Sequence, residues 1–454
     1  MNFRTDLQTL NDLELVARAG GRSVYDLYDR ARTRGGAELL ERMFMQPLTD
    51  ARQIERRSRI IQYFVSRRMA FPFTAETLDR AEAYLAMTDP RTALSHADDT
   101  WRRKLSEMIL ADGPYAVIVA GIGAIAEIAQ VLTRFVEENS VPARLTPYRD
   151  NLNEIEGLLR HEVVLAVGKQ TQRGRMDYRD VVELDKRLRF RQRQVIEQLL
   201  EHIHVLDVFQ AVAEVALAHD FAFPVVHEKA RHVLKLSGVR HPLVGHAVGN
   251  ALSVTAERNL VFLTGANMAG KSTFMKSIGI AFYLAHLGFP VAADGMEFSV
   301  ADGLYTTINL SDDLASGISH FYAEVQRIKH IAREFSGNKA LLVMFDELFR
   351  GTNVQDAYEG TVAITQAFAA RRNCMFLVST HILEAGERLM RESANIQFVF
   401  LPTRMRGNTP IYTYELESGI TADRHGMIII ENESILEIIR SRKGAGRLGG
   451  SRGS

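Results

Sequence analysis

The chain has 454 residues, 55 of them basic and 55 acidic, with 46% hydrophobic and 24% charged side chains. At roughly 150 residues per domain, that length leaves room for two or three domains with cores of their own and excludes a mini-domain that depends on staples. The even charge balance shows no global attraction to nucleic acid or to a membrane surface, although local patches can hide within a balanced total.

Met1 to Leu10 carries acidic and polar residues where a secretory leader needs a continuous apolar core. From Leu7 to about Leu217 apolar residues recur at three-and-four spacing between charges, as in Gln53 to Phe64 and Val181 to Val215. That period predicts an all-helical region. Pro47, Pro72, Pro90, Pro114 and Pro142 punctuate it at helix ends. The Val181 to Val215 run is long and heavily charged, so it reads as one extended, partly solvent-exposed arm. No uninterrupted apolar stretch approaches the roughly 18 to 20 residues of a membrane span, and no membrane partner is expected.

After Phe221-Ala222-Phe223-Pro224 the period changes. Short β-rich runs at Asn259 to Thr264, Ala340 to Phe345, Met375 to Ser379 and Ile396 to Leu401 alternate with helical stretches such as Lys271 to Leu287 and Asp356 to Ala370. Alternation of this kind predicts an α/β domain with a largely parallel sheet. Cys374 lies in one of the apolar runs and, as the single cysteine, excludes an intrachain disulfide. A lone buried thiol suits a reducing compartment, so a cytoplasmic location is expected. The tail from 441 to 454, rich in Gly, Arg and Ser, is expected to be disordered.

The chemistry concentrates at Gly265-Ala266-Asn267-Met268-Ala269-Gly270-Lys271-Ser272. In a Gly-x-x-x-x-Gly-Lys-Ser run the glycines let the backbone wrap an anion, and successive N–H groups and the next helix N-terminus point at phosphates. Lys271 adds a positive charge at the β- and γ-phosphates, and the Ser272 hydroxyl is a hard oxygen ligand for Mg²⁺. The strand-like Leu260 to Leu263 before the run and the helix-like Thr273 to Ile278 after it supply the context that the motif needs. ATP is therefore the expected ligand. The apolar run Leu341 to Phe345 ends in Asp346-Glu347, where Asp346 can hold Mg²⁺ through water and Glu347 can polarise an attacking water. A third run, Met375 to Ser379, leads into Thr380-His381, and a histidine at the carboxyl edge of a nucleotide-binding sheet can sense the γ-phosphate.

Four segments in this order resemble the MutS family of DNA mismatch-repair ATPases, a branch of the ABC-type ATPases. They are Thr264 to Thr273, Ser311-Asp312-Asp313-Leu314-Ala315-Ser316-Gly317-Ile318-Ser319, Phe345 to Thr352, and Ser379-Thr380-His381. Similarity reaches outward to Arg240-His241-Pro242, to Gly419-Ile420-Thr421 with Gly426, and to Gly35-Gly36 through Met45-Gln46-Pro47-Leu48-Thr49-Asp50. The resemblance implies a multidomain chain: an all-α core and lever domain over 1–228, followed by an α/β P-loop (ABC-type) ATPase domain over 229–440. It implies a homodimer in which Ser319 reaches the γ-phosphate bound by the other subunit. It also implies nucleotide contacts from Gly265 through Thr273, nucleotide sensing by Asn267 and His381, and an aromatic near Tyr414 that stacks on adenine. Tyr414 itself reads as part of a strand from Ile411 to Leu416.

Several positions depart from the family pattern. Ala266, Ala269, Ile318, His320 and Phe349 replace the usual residues around the motifs, while the hydrolytic groups stay in place. The family's mismatch-reading wedge has no counterpart in the sequence, and the interval from Leu145 to Val195, where a β-rich clamp would sit, reads as helical. At that tip stand Lys169, Arg173, Arg175, Arg179, Lys186, Arg187, Arg189, Arg191 and Arg193 among several acids, a net-positive arm that could track DNA phosphates or form a solvated helix face. The resemblance thus points to an ATPase that couples nucleotide state to lever movement on DNA or with repair proteins. The alternatives are an ATP-regulated assembly protein with a protein or ribosomal partner and, less in keeping with Glu347 and His381, a small-molecule kinase.

Overall fold

A computed structural model describes residues 2–16, 22–94, 113–172, 176–308, 320–349, 351–407, 409–421, 434–435 and 438–439. The Ser311–Ser319 segment, Arg173, Arg175, Arg350, Gly426 and the tail from 441 lie outside the described residues.

The first part is helical, as its period predicts. It runs α1 (Leu7–Asp12), α2 (Val24–Tyr28), α3 (Arg34–Met45), α4 (Ala51–Arg67), α5 (Ala75–Ala86), α6 (Pro114–Asn139), α7 (Tyr148–Leu159), α8 (Glu162–Gln172), α9 (Tyr178–Asp185) and α10 (Arg193–His219). Local chemistry sets the starts. Ser23 and Asp26 form a reciprocal capping box on α2, Asp177 and Asp180 do the same on α9, and Thr33, Asp50 and Thr74 cap α3, α4 and α5. α10 is the central pillar, packed on α3, α4 and α7 with most of its length buried. Its one deep acid, Asp207, accepts from the backbone N–H of Arg32 at 3.0 Å and from the N–H and hydroxyl of Thr33 at 2.8 and 2.7 Å.

Two expectations are corrected here. The Val181 to Val215 run is not one exposed arm: α9 passes into a π-helical turn over Lys186–Arg191, the backbone breaks at Gln192, and α10 then enters the core. The turn is held by a buried pair. Arg189 donates from Nε and Nη2 to Asp185 at 2.5 and 2.6 Å, and its remaining donors reach Met87 O, Thr92 Oγ1 and Thr92 O at 2.8 to 3.0 Å. All five guanidinium donors are thereby used, and the Tyr84 hydroxyl caps Asp185 at 3.0 Å. The second correction concerns apolar length. Tyr115–Asn139 in α6 is long and apolar enough to cross a membrane, but half of that stretch is buried inside the protein, against α5, α7 and α8 among others. Among the described residues, no strand falls between 145 and 195.

The chain then alternates: β1 (Val225–His227), β2 (Leu234–Val239), β3 (Asn250–Val254), β4 (Leu260–Gly265), α11 (Lys271–His286), β5 (Gly295–Ser299), β6 (Gly303–Thr307), α12 (His320–Glu334), β7 (Leu341–Asp346), α13 (Val354–Ala369), β8 (Met375–Ser379), α14 (Leu383–Glu392), β9 (Ile396–Leu401), β10 (Thr403–Arg406), β11 (Thr409–Tyr412) and β12 (Glu417–Ser418). Six strands form one sheet in the order β12-β9-β4-β8-β7-β6, parallel except for β12. β4, β7 and β8 are buried along nearly their whole length, which explains their unbroken apolar runs. A second sheet, β1-β5-β2-β3, lies outside anything the sequence suggested.

The two parts are riveted together, and the first residues of the chain supply much of the joint. Arg4 bridges to the edge strand β6, giving its N–H to Asp302 O at 2.8 Å and taking the N–H of Leu304 at 2.9 Å. The buried Asp12 accepts from the Thr306 hydroxyl and from the Ile308 N–H, both at 2.8 Å, while Asp6 pairs with Arg327 on α12. On the other side Glu14 meets Lys276 of α11 at 2.7 Å, and Leu13 packs where Gly279 leaves room. The helical region grips the far end of α11 as well: the Tyr283 hydroxyl donates to Phe44 O at 2.7 Å, and Leu48 donates to His286 O at 2.8 Å.

Replacing Asp12 strands two buried donors. Asp12→Ala is expected to cost about 3 kcal/mol of stability, because bonds to a charged acceptor are lost and their donors stay desolvated. Urea unfolding checks this as a lowered midpoint with an unchanged slope.

Candidate functional site

Neighbouring parallel strands in register end together, and here that brings the chemistry to one edge. Leu263 of β4 lies beside Ser379 of β8, and Ser379 lies beside Asp346 of β7, so all three strands deliver their carboxyl ends side by side. This is the edge at which an open α/β sheet binds ligands.

β4 ends at Gly265, and the chain turns through Ala266 to Gly270 before α11 begins at Lys271. Met268 and Gly270 both have left-handed backbones, with φ of +70° and +99°. Gly270 is the N-cap of α11 and offers no side chain to the first turn, which leaves the helix N-terminus open to an anion. Lys271 is buried, and its ammonium donates to Gly265 O at 2.9 Å and Ala266 O at 3.2 Å, curling back over the loop. Asn267, Met268, Ser272 and Thr273 are exposed around it, while Ala269 is buried beneath.

Asp346 is the junction. The Ser272 hydroxyl donates to its Oδ2 and the Ser379 hydroxyl to its Oδ1, so one carboxylate ties the start of α11 to the ends of β7 and β8. The residues that follow turn sharply, with Glu347 at φ +56° and Phe349 at φ +63°. The Glu347 N–H is held by Ser379 O at 3.0 Å, and the Phe349 ring fills the space beside Gly360 of α13 and Phe321 of α12. The aromatic at position 349 thus acts as a packing anchor for the turn that carries Glu347. Thr380 is fixed to Leu263 O at 3.1 Å, and His381 stands exposed just beyond.

The Ser272 and Asp346 oxygens are hard donors already in contact, which fits a Mg²⁺ that takes most of its ligands from water and phosphate. Among the described residues no group of three or more His, Cys, Asp or Glu could hold a metal by itself. A metal here would complete its shell with water and phosphate oxygens.

Beside the loop lies a cavity of about 390 Å³, bounded by Val239, His241, Val244, Val248, Phe274 and Tyr414 among others. Burial pushes the His241 imidazole below its ordinary pKa, which favours a neutral ring in the wall. Tyr414 does not sit in a strand, as its neighbours suggest. β11 stops at Tyr412, and Tyr414 has φ +57° with 46% of its surface exposed. Its ring edge lies against Gly270, 3.0 Å from where a Cβ would be. The site therefore unites Gly265 to Thr273, Asp346, Glu347, Ser379, His381 and Tyr414. Ser379 and His241 stand in segments that the family resemblance covers, but the bond of Ser379 to Asp346 and the cavity wall from Val239 to Val248 went unread, because both depend on partners far away in the chain.

Comparison with known proteins agrees with the motif reading. Residues 8–223 match the family model for MutS domain III, and residues 261–443 match that for MutS domain V. This chain belongs to the MutS family. Within the family it is 24% identical to the DNA mismatch repair protein MutS of Thermotoga maritima, over 96% of this chain and 64% of that protein. It is 31% identical to that of Petrotoga mobilis over 55% of this chain and 30% of the relative. For MutS of Thermus thermophilus the identity is 38%, over 43% of this chain and 24% of the relative. The chain thus spans less than two thirds of the length of these relatives. In this MutS family member the domain V match begins inside β4 and takes in the whole loop and acid cluster, while the domain III match covers nearly all of α1 through α10.

Gly270 can be tested directly. An alanine there meets Tyr414 and adopts a left-handed backbone, so Gly270→Ala is expected to cost about 1–2 kcal/mol, read as a fall in the thermal midpoint.

Proposed function

We propose that this chain binds ATP with Mg²⁺ at the β4–α11 loop and hydrolyses it to ADP and phosphate, as the ATPase domain of a MutS-type homodimer. The single observation that carries the reading is the convergence of Lys271, Ser272, Asp346 and Ser379 at the carboxyl ends of three adjacent strands.

In this reading the backbone from Gly265 to Thr273 wraps the phosphates, and Lys271 turns from the loop carbonyls to the β- and γ-phosphates. Ser272 and Asp346 would hold Mg²⁺, which supplies positive charge against the phosphate chain when bound. Glu347, aimed by its left-handed turn, orients and polarises the attacking water, and a base in this role contributes roughly 10²- to 10⁴-fold. Asn267 and His381 sense the γ-phosphate, and the Tyr414 ring supports the adenine in the neighbouring cavity. Ser319 lies outside the described residues, and its reach to the partner's γ-phosphate rests on the family resemblance. We take 1–228 as the core and lever domain, 229–440 as the ATPase domain, and the cytoplasm as the place of action.

Nucleotide state would reach the levers through α11, whose start carries the loop and whose flank and far end are gripped by Glu14, Phe44 and Leu48. Ligand binding that favours one arrangement of this joint shifts the population of lever positions. DNA and repair proteins are the proposed partners. The basic tip favours a second reading, because Arg189 is buried on Asp185 while Arg187 and Arg193 are paired with Glu183 and Glu197. With those three charges paired, an assembly protein acting on a protein or ribosomal partner becomes the competing account.

Phosphate release by the purified protein separates these accounts. Lys271→Ala is expected to abolish ATP binding, and Glu347→Gln to keep binding but lose about 100-fold or more in turnover. Equal turnover in all three proteins contradicts the hydrolase assignment. Stimulation by duplex, branched or mismatched DNA at low salt supports the DNA reading, and its absence together with no gel retardation favours the assembly reading.

A further inference from the structure

The cavity beside the loop poses a question that the phosphate chemistry leaves open: what holds Tyr414 in place. Its ring is half exposed, its backbone is left-handed, and it sits in a four-residue link between β11 and β12 that belongs to neither strand. A tyrosine in that backbone region is strained by its Cβ, so surrounding bonds must impose the conformation. Within the link, the Thr413 hydroxyl reaches Pro402 O at 3.5 Å, and Glu415 donates locally to Thr413 at 3.3 Å. Both are long contacts.

The short contacts go to one side chain. Asn250, buried at the start of β3, donates from Nδ2 to Tyr414 O at 2.8 Å and accepts at Oδ1 from the Leu416 N–H at 2.7 Å. Its amide therefore binds the link as a neighbouring strand would, one donor and one acceptor gripping residues two apart. The same nitrogen lies 3.5 Å from Val248 O, and Val248, Asn250 and Tyr414 all line the cavity. Asn250 thus touches both the wall and the segment bearing the ring. Only an amide has the required pair of groups at this length: Asp has the shape but two acceptors, and it would face Tyr414 O with a repelling oxygen.

We propose that Asn250 is the positioning residue for the nucleotide base, setting the Tyr414 ring against Gly270 so that a purine can stack beside the phosphate loop. The inference rests on the ATP reading above. It assigns Asn250 no contact with phosphate or metal, so its effect should fall on the base-dependent part of affinity alone.

The test compares ATP with inorganic tripolyphosphate, which engages the loop without a base, by calorimetric titration of the full chain. The variants are Asn250→Asp, Asn250→Ala, Tyr414→Ala and the Asn250→Asp/Tyr414→Ala double. Loss of a base–aromatic stack is expected to weaken ATP about tenfold. Asn250→Asp and Tyr414→Ala should each show that loss with tripolyphosphate unchanged, and the double variant should be no weaker than Tyr414→Ala, because the first acts through the second. Wild-type affinity for ATP in Asn250→Asp, parallel loss of ATP and tripolyphosphate in both Asn250 variants, or full additivity in the double would each overturn the assignment. Failure of the wild-type protein to bind ATP would overturn the nucleotide reading and the assignment with it. Unaltered ATP affinity in Tyr414→Ala would overturn the assignment and leave the phosphate site standing.

Discussion

The Asp346 carboxylate is the point on which the site depends. It ends β7, takes the hydroxyl of Ser272 from the first turn of α11, and takes the hydroxyl of Ser379 from the end of β8. Three elements separated by long stretches of chain are thereby tied through a few atoms, and each tie is possible only because β4, β8 and β7 run parallel in matched register. The arrangement also places the acid where a phosphate-bound metal would need a hard oxygen, so the bond network that organises the protein prefigures the chemistry proposed for it.

A second constraint transmits whatever happens there. α11 begins at the loop and ends buried among the helices, and the opening residues of the chain bind its flank through Glu14 and the sheet edge through Asp12 and Arg4. A movement of the loop that shifts α11 would press on these contacts, because its flank and far end are packed against the helical region. The helical region is thus joined to the sheet along a continuous core that runs from Leu13 and Phe44 through Met275 and Phe282.

Much of this was legible in the residues. The glycine-bearing loop between β4 and α11 and the four strands around it announce themselves because strands covered on both faces read as unbroken apolar runs, and the acids that end β7 break such a run abruptly. What stayed hidden depends on partners far away in the chain. The sheet β1-β5-β2-β3 pairs Leu234 with Phe298 and has short strands with little period to find. Arg189 reads as one more surface charge until Tyr84, Met87 and Thr92 are brought around it and Asp185. Tyr414 looks like a strand residue because its neighbours are β-formers, and it leaves the strand because Asn250 offers its backbone a different partner. Asp12 reads as an acid near a helix end, and its buried contact with Thr306 and Ile308 spans nearly 300 residues of sequence.

The most direct measurement of the central claim is ATP binding at equilibrium with and without Mg²⁺, in the wild-type protein and in Asp346→Asn. If Asp346 and Ser272 form the metal end of a nucleotide site, Mg²⁺ strengthens ATP binding to the wild-type protein and has little effect on the variant. The same dependence on Mg²⁺ in both proteins would contradict the account.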